Sequence, residues 1–355
     1  MRVRGALRGA AAVAAGLAAL AALPVGARPD PPARSYYVYV CAESEDEVAL
    51  VRYGPRGLEV VRRVAVGRLP AETEGPHGIA VDPDGRHWYV SIAHGMPFGS
   101  VHKYATGSDA WVAGVTLGMY PATLDIAAST RLLFAANFDL HGSPAPGTVS
   151  AVEIDTMEEV ARVETGVMPH GSRLSTDGTR HYSVTMMGGE LVELDALGFE
   201  VVRRLQLGDG VQSTWVTAPT SDGMVYVTGN NVASVFEVDL GAWRVRRTFA
   251  TGAGPYNLAV TPDGGTLVAT YKNDDAIGFW DLETGVERAR VATTRTIPHG
   301  VVVTPDGAYA FVTVEGVGAD PGTVEVYDVR TAARLGAVDI GKQASGIAFW
   351  TVREE

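Results

Sequence analysis

The chain has 355 residues, 46% apolar and 20% charged, with 42 Gly and 19 Pro, a balance that excludes a disordered tail or a collagen-like fibre and requires a packed body. Its single Cys rules out an intrachain disulfide, a Cys-x-x-Cys-His attachment for covalent c-type haem, and a multi-cysteine zinc site. A formal charge of −12 argues against nucleic acid or anionic lipid as a partner through a broad basic surface.

At the N-terminus, Arg2, Arg4 and Arg8 precede an Ala/Leu/Val-rich run from Ala10 to Leu23, and Val25-Gly26-Ala27 follows. Charged, apolar and small-residue regions in that order predict a secretory signal peptide. Residues 1–27 are thus expected to be a leader, 28–35 a linker and 36–352 the folded body; an uncleaved N-terminal anchor is the alternative. No later stretch approaches the ~20 apolar residues of a membrane span. The expectation is an exported monomer, periplasmic or extracellular, with no transmembrane segment in the mature chain. Cys41 lies too far from the cleavage site for lipidation and reads as a buried apolar residue.

The remainder repeats. Asp-Gly turns recur at Asp84-Gly85, Asp177-Gly178, Asp222-Gly223, Asp263-Gly264 and Asp306-Gly307, with Ala128-Ser129-Thr130 between the first two, at intervals of about 41 to 48 residues. That is the period of four-stranded propeller blades. β-like runs flank each turn, such as Leu258-Ala259-Val260 before and Met224 to Thr228 after, and further runs follow, such as Ala233 to Val238 and Arg244 to Phe249. Inner strands are predicted near Ile79, Thr123, Ser172, Trp215, Leu258, Val301 and Ile347. The last has no strands after it and the run Tyr36 to Ala42 has no inner strand before it, so the chain ends complete one blade together. The predicted fold is all-β, a seven-bladed β-propeller of four-stranded blades, with its ring closed by N-terminal strands.

The phrases Thr261-Pro262-Asp263-Gly264 and Tyr226-Val227-Thr228-Gly229-Asn230 resemble the repeat of the YVTN, or YncE-like, family of seven-bladed β-propellers, over nearly all of the predicted mature chain. The resemblance implies the fold and leaves activity open, because propellers carry unrelated functions. More distant likenesses are to cytochrome d1-type haem domains and to the nitrous oxide reductase propeller, whose histidines on one face hold a copper-sulfur cluster.

In such a blade the loop leading into the inner strand and the loop after the second strand open on one face of the disc. His77, His170 and His299 all occupy the lead-in position, each within Pro-His-Gly. His94 and His141 follow second strands, and Met186 and Met187 take the same place in the blade of His170. Imidazole with thioether suits copper better than magnesium or calcium, and export avoids the cytosolic thiol pool. The sequence therefore suggests a copper site over the channel, used in redox chemistry or metal handling. The alternative is that each His-Gly caps a turn, with Gly permitting an unusual backbone angle. Ala122, Ser213, Tyr256 and Ser345 fill the other lead-in positions, so a nitrous oxide reductase-like cluster is not expected. His87 and His181 open second strands on the opposite face and His102 lies in a third strand, which makes them internal controls.

Arg173, Tyr256, Asn257 and Lys272 fall near the same mouth, where they could bind an anionic or polar ligand or pair with Glu315 and other carboxylates. The run Glu43-Ser44-Glu45-Asp46-Glu47 reads as a solvated acidic rim. Gly-x-Ser-x-Gly, Gly-x-x-x-x-Gly-Lys-Ser/Thr and His-Glu-x-x-His motifs are missing. Two alternatives stand beside the metal reading. One is a non-catalytic scaffold binding an exported protein, peptide or polysaccharide; the other is a lactonase-like hydrolase.

Overall fold

The computed structural model describes residues 31–69, 71–94, 98–140 and 146–354; the leader expected over residues 1–27 lies outside them. Seven antiparallel sheets form the blades of a propeller. Numbered along the chain, the inner strands of blades 1, 2 and 3 are Pro76–Val81, Pro121–Ala127 and Pro169–Leu174; those of blades 5 and 6 are Pro255–Val260 and Pro298–Val303. Blade 7 joins the two ends of the chain. Its inner strand Ala344–Glu354 pairs with Arg34–Ala42, from Tyr36 against Val352 to Val40 against Ile347 with a register shift between Tyr37 and Val38, and Glu47–Gly54 and Gly57–Ala65 complete it. Among the described residues, no helix is long and apolar enough to cross a membrane.

Strand position in a blade follows from patterning. Second and third strands such as Met224–Gly229 are buried on both faces and rich in Val, Tyr and Thr, whereas outer strands such as Val286–Ala292 alternate exposed and half-buried residues. Facing sheets pack through seven apolar clusters, each shared by two neighbouring blades. In the cluster of blades 7 and 1, Trp88 stacks between Tyr39 at 5.1 Å and Tyr104 at 4.2 Å between ring centroids. Cys41 is fully buried in that cluster, as the sequence suggested, and away from the channel mouth. Burial holds its thiol well above the ordinary range.

Blade 4 departs from the predicted four full strands. Its regular strands are Met224–Gly229, Ser234–Asp239 and Arg244–Ala250, and the inner segment joins them less regularly, through the Val216 to Val227 bridge and the backbone bonds from Thr217 N–H to the Tyr226 carbonyl and from Thr228 N–H to the Trp215 carbonyl, both 3.0 Å. The cause is local. The Tyr226 backbone N–H goes to the Thr217 hydroxyl at 3.0 Å, a side-chain acceptor in the ladder between the inner segment and Met224–Gly229.

The lead-in to the inner strands recurs around the ring. A residue with left-handed backbone precedes each Pro: Gly75, Tyr120, Met168, Gly254 and Ile297, with φ from 52° to 66° in Tyr120 and Ile297. Pairing is irregular over the next one or two residues before the ladder resumes at Ile79, Thr123, Ser172, Leu258 and Val301. A second-strand hydroxyl takes the N–H freed by that irregularity: Ser91 from Gly78 at 2.7 Å, Thr270 from Asn257 at 3.0 Å, Thr313 from Gly300 at 2.8 Å. Thr270 and Thr313 also donate to the lead-in carbonyl of the next blade, at His299 (2.8 Å) and Ser345 (2.7 Å). Thr270 and Thr313 are therefore stitches between blades, whereas in blade 4 Thr228 bonds within its own blade and the Thr214 hydroxyl donates to the Tyr256 carbonyl of the next at 2.8 Å.

The glycines after the histidines serve close approach, which corrects the expectation of an unusual backbone angle. A β-carbon on Gly78 would lie 2.7 Å from the Ala122 carbonyl oxygen, and one on Gly171 would lie 2.6 Å from that of Thr214. Neither glycine has positive φ; the left-handed residue stands before the Pro instead. We expect Thr313→Val, which keeps the shape and removes both hydroxyl bonds, to lower the unfolding free energy by about 1–3 kcal/mol in urea titration. An unchanged midpoint would show that the stitch contributes nothing.

Candidate functional site at the channel mouth

Two sets of residues build the mouth: the lead-in positions, and the residues that follow second strands. The second set includes Glu43, Phe138, Met186, Lys272 and Glu315, and with His77, His170, Tyr256 and His299 they line one cavity of about 220 Å3. The three Pro-His-Gly imidazoles are buried and converge, with ring centroids 5.3 Å apart for His77 and His299 and 6.1 Å for His77 and His170.

Each of these three rings has its Nδ1 on an oxygen. His77 Nδ1 lies 2.8 Å from Glu43 Oε2, His299 Nδ1 lies 2.7 Å from Glu315 Oε1, and His170 Nδ1 lies 2.8 Å from the Thr214 carbonyl. An acceptor at Nδ1 fixes the tautomer with the proton there and leaves Nε2 as a base or ligand. Tyr256 donates its hydroxyl to His170 Nε2 at 3.0 Å. Among the described residues, Nε2 of His77 and of His299 has no protein hydrogen bond.

Electrostatics agree with that assignment. Desolvation, with the Lys272 charge second, brings His299 down to about 4, and desolvation brings His170 down to about 3. Burial alone would raise Glu315, but His299 and Lys272 hold it at about 2. Lys272 Nζ is 2.6 Å from Glu315 Oε1 and 3.7 Å from the centre of the Tyr256 ring. Glu43 is also held well below the carboxylate range against its own burial, by His77 first. It meets His94 Nε2 at 2.7 Å and accepts the Tyr120 hydroxyl at 3.0 Å.

Glu43 corrects the reading of residues 43–47 as a solvated rim: it is 2% exposed, turned inward by the short helical turn Glu43–Glu45. A signal for it was present in the sequence, because Glu43 follows a second strand as Lys272 and Glu315 do. The structure gathers His77, His94, His170, His299, Met186, Tyr256 and Lys272 at the mouth and leaves others apart. Met187 is 54% exposed, with its sulfur 3.7 Å from Gln212 Nε2, and it does not line the cavity. Arg173 and Asn257 line the channel below the histidines. His141 lies outside the described residues.

The control histidines are elsewhere. His181 is buried against Phe134 at 4.9 Å, and His102 beside Ser100. His87 Nδ1 is 3.6 Å from Asp82 on the hairpin side. Among the described residues, Asp82, Asp84 and His87 form the one group of three donors from His, Cys, Asp or Glu lying within 4.8 Å of one another. The donor atoms of His77, His170 and His299 are therefore not drawn together tightly enough to form a ready three-imidazole metal centre.

Residues 101–353 match the family model described as YNCE-like beta-propeller. The chain belongs to the YncE-like β-propeller family. It is also 27% identical over 244 residues to a virginiamycin B lyase of Nocardia farcinica (strain IFM 10152), a match covering 66% of this chain and 76% of that relative.

The buried neutral histidines make stability depend on pH. His170, His181 and His299 have folded values near 3 to 4, below the unfolded value of about 6.5. The unfolded chain thus binds more protons in the interval, so stability is full above about pH 6.5 and declines as pH falls toward 4. Both ring nitrogens of His181 are buried without a hydrogen-bond partner. Substituting His181→Phe should flatten this decline and raise the unfolding free energy at pH 5 by about 1–3 kcal/mol, measured by denaturant titration across pH; an unaltered slope would count against it.

Proposed function

We propose that the mouth is a proton-transfer site of lyase type acting on a polar organic substrate that carries a carbonyl. The observation that carries this reading is the pair of imidazole–carboxylate dyads, His77–Glu43 and His299–Glu315, whose Nε2 atoms are without protein hydrogen bonds beside one cavity that also holds the Lys272 ammonium. The likeness to a lyase that acts on virginiamycin B points the same way. In the step inferred, His299 Nε2 takes a proton from the carbon next to the substrate carbonyl. That electron pair forms a C=C bond, the C–O bond on the next carbon breaks, and the leaving oxygen takes a proton from Lys272. Glu315 holds the His299 tautomer and stabilises the imidazolium that forms, and Tyr120 with His94 holds Glu43 beneath His77.

Virginiamycin B is the first substrate to try, following the ultraviolet absorbance of the new C=C–C=O group. His299→Ala and Lys272→Met should each lower kcat by roughly 10²–10⁴, with His87→Ala at the rate of the unaltered protein. Full activity in His299→Ala would refute the assignment.

A second reading is favoured by one feature, the acceptor at Nδ1 of all three Pro-His-Gly imidazoles, which is how metal-bound histidines are held from behind. It places a copper ion on Nε2 of His77 and His299, with the Met186 thioether lining the same cavity. On this reading the protein is exported, as the leader-like residues 1–27 suggest, and meets copper there. After copper loading and desalting, plasma mass spectrometry should find near-stoichiometric copper in the protein, little in His77→Ala/His299→Ala, and an undiminished content in His87→Ala. Copper that follows His87 instead would place the ion with Asp82 and Asp84.

A further inference from the structure

The channel continues below the histidine ring. A narrow waist lined by His77, His170, His299, Arg173, Trp215 and Asn257 leads to a vestibule of about 500 Å3 that reaches the Thr-Pro-Asp-Gly turn of blade 5. Arg173 lines both spaces and, among the described residues, is the only charged one on the vestibule wall. The rest of that wall is apolar, from Leu258, Val260 and Val302, and hydroxylic, from Thr217, Thr220 and Thr261.

Arg173 is held in place but not neutralised. Its guanidinium lies 4.3 Å from the centre of the Trp215 ring, whose Nε1 donates to the Leu258 carbonyl at 3.0 Å, and its Nη1 donates to the Ser172 carbonyl at 2.6 Å. The neighbouring acid, Asp125, has both oxygens on backbone N–H groups, of Ile126 at 3.0 Å and Leu174 at 2.8 Å, and makes no ion pair with Arg173. Among the described residues, Nε and Nη2 of Arg173 have no protein partner. The hairpin carboxylates of Asp177 and Asp263 are occupied by their own turns. Buried Asp125 attracts Arg173 through space without a hydrogen bond to it, and the guanidinium remains desolvated, with its Nε and Nη2 donors turned to no acid.

We propose that the vestibule is a second ligand site, separate from the mouth, which takes a small carboxylate whose anionic group sits on the fork of Arg173 and whose apolar body rests on Leu258, Val260 and Val302. A planar guanidinium with two free donor nitrogens matches a carboxylate, and a stacked Trp fixes its plane. The apolar wall selects acids with a hydrocarbon body over acetate.

The test is calorimetric titration of the full chain with benzoate, with benzamide as the neutral isostere and acetate as the bodiless acid. Benzoate should bind saturably, with benzamide and acetate each roughly tenfold weaker or more. Arg173→Gln should abolish the benzoate preference, whereas Lys272→Met at the mouth should leave it intact. Ala218 is exposed and lines the vestibule, so Ala218→Trp narrows the space without entering the core; it should weaken benzoate by a similar factor and decides the matter if Arg173→Gln does not fold. Equal affinity for benzoate and benzamide, loss of binding in Lys272→Met with retention in Arg173→Gln, or no heat at millimolar benzoate would overturn the proposal.

Discussion

The second-strand hydroxyl that meets the lead-in of the inner strand in blades 1, 4, 5 and 6 is the contact on which the geometry of the mouth depends. A left-handed residue and a Pro start the strand out of register, and one N–H is left without a ladder partner. A second-strand Ser or Thr takes it, and in blades 5 and 6 the same hydroxyl reaches the next blade's carbonyl. The irregular pairing turns the lead-in side chain toward the axis, and the bridge to the next blade sets how far apart the lead-in residues stand. Gly78 and Gly171 follow from the same constraint, since the neighbouring carbonyl occupies the place of a β-carbon.

That geometry makes the mouth an unusual solvent. Three imidazoles are pressed together there, desolvation favours the neutral forms of His170 and His299, and two carboxylates are sunk beside them, which desolvation would also neutralise. Pairing resolves the conflict: each carboxylate stays ionised by accepting from a ring nitrogen, and Lys272 reinforces Glu315. The outcome is bases held in one tautomer next to a cation, an arrangement adapted to moving protons. Below the ring, a channel lined by the Arg173 guanidinium, which has no hydrogen-bonded acid, has the opposite character, cationic and otherwise apolar or hydroxylic.

Much of this was legible in the residues. The Asp-Gly period and the unpaired strands at the two ends required seven blades and their closure, because sheet edges and strand count leave no other way to complete the ring. The three Pro-His-Gly copies identified the face and the depth of the imidazoles. Less was legible where one residue's role depends on distant partners. Arg173 and Lys272 looked equivalent in the sequence, yet Arg173 stands three residues beyond the lead-in His170 and so lies lower in the channel. Met186 and Met187 are adjacent in the turn after Thr185, and only the first lines the cavity.

Local periodicity, turn chemistry and residue type are encoded within a blade's length, so the sequence alone determined the propeller, its ring closure and the one-sided set of histidines. Which groups touch depends on contacts between blades far apart in the chain: Glu43 with His77 and His94, Tyr256 with His170, and the reduced inner strand of blade 4. Only the tertiary structure decided those, because hydrogen bonding and desolvation at the axis are set by all seven blades at once.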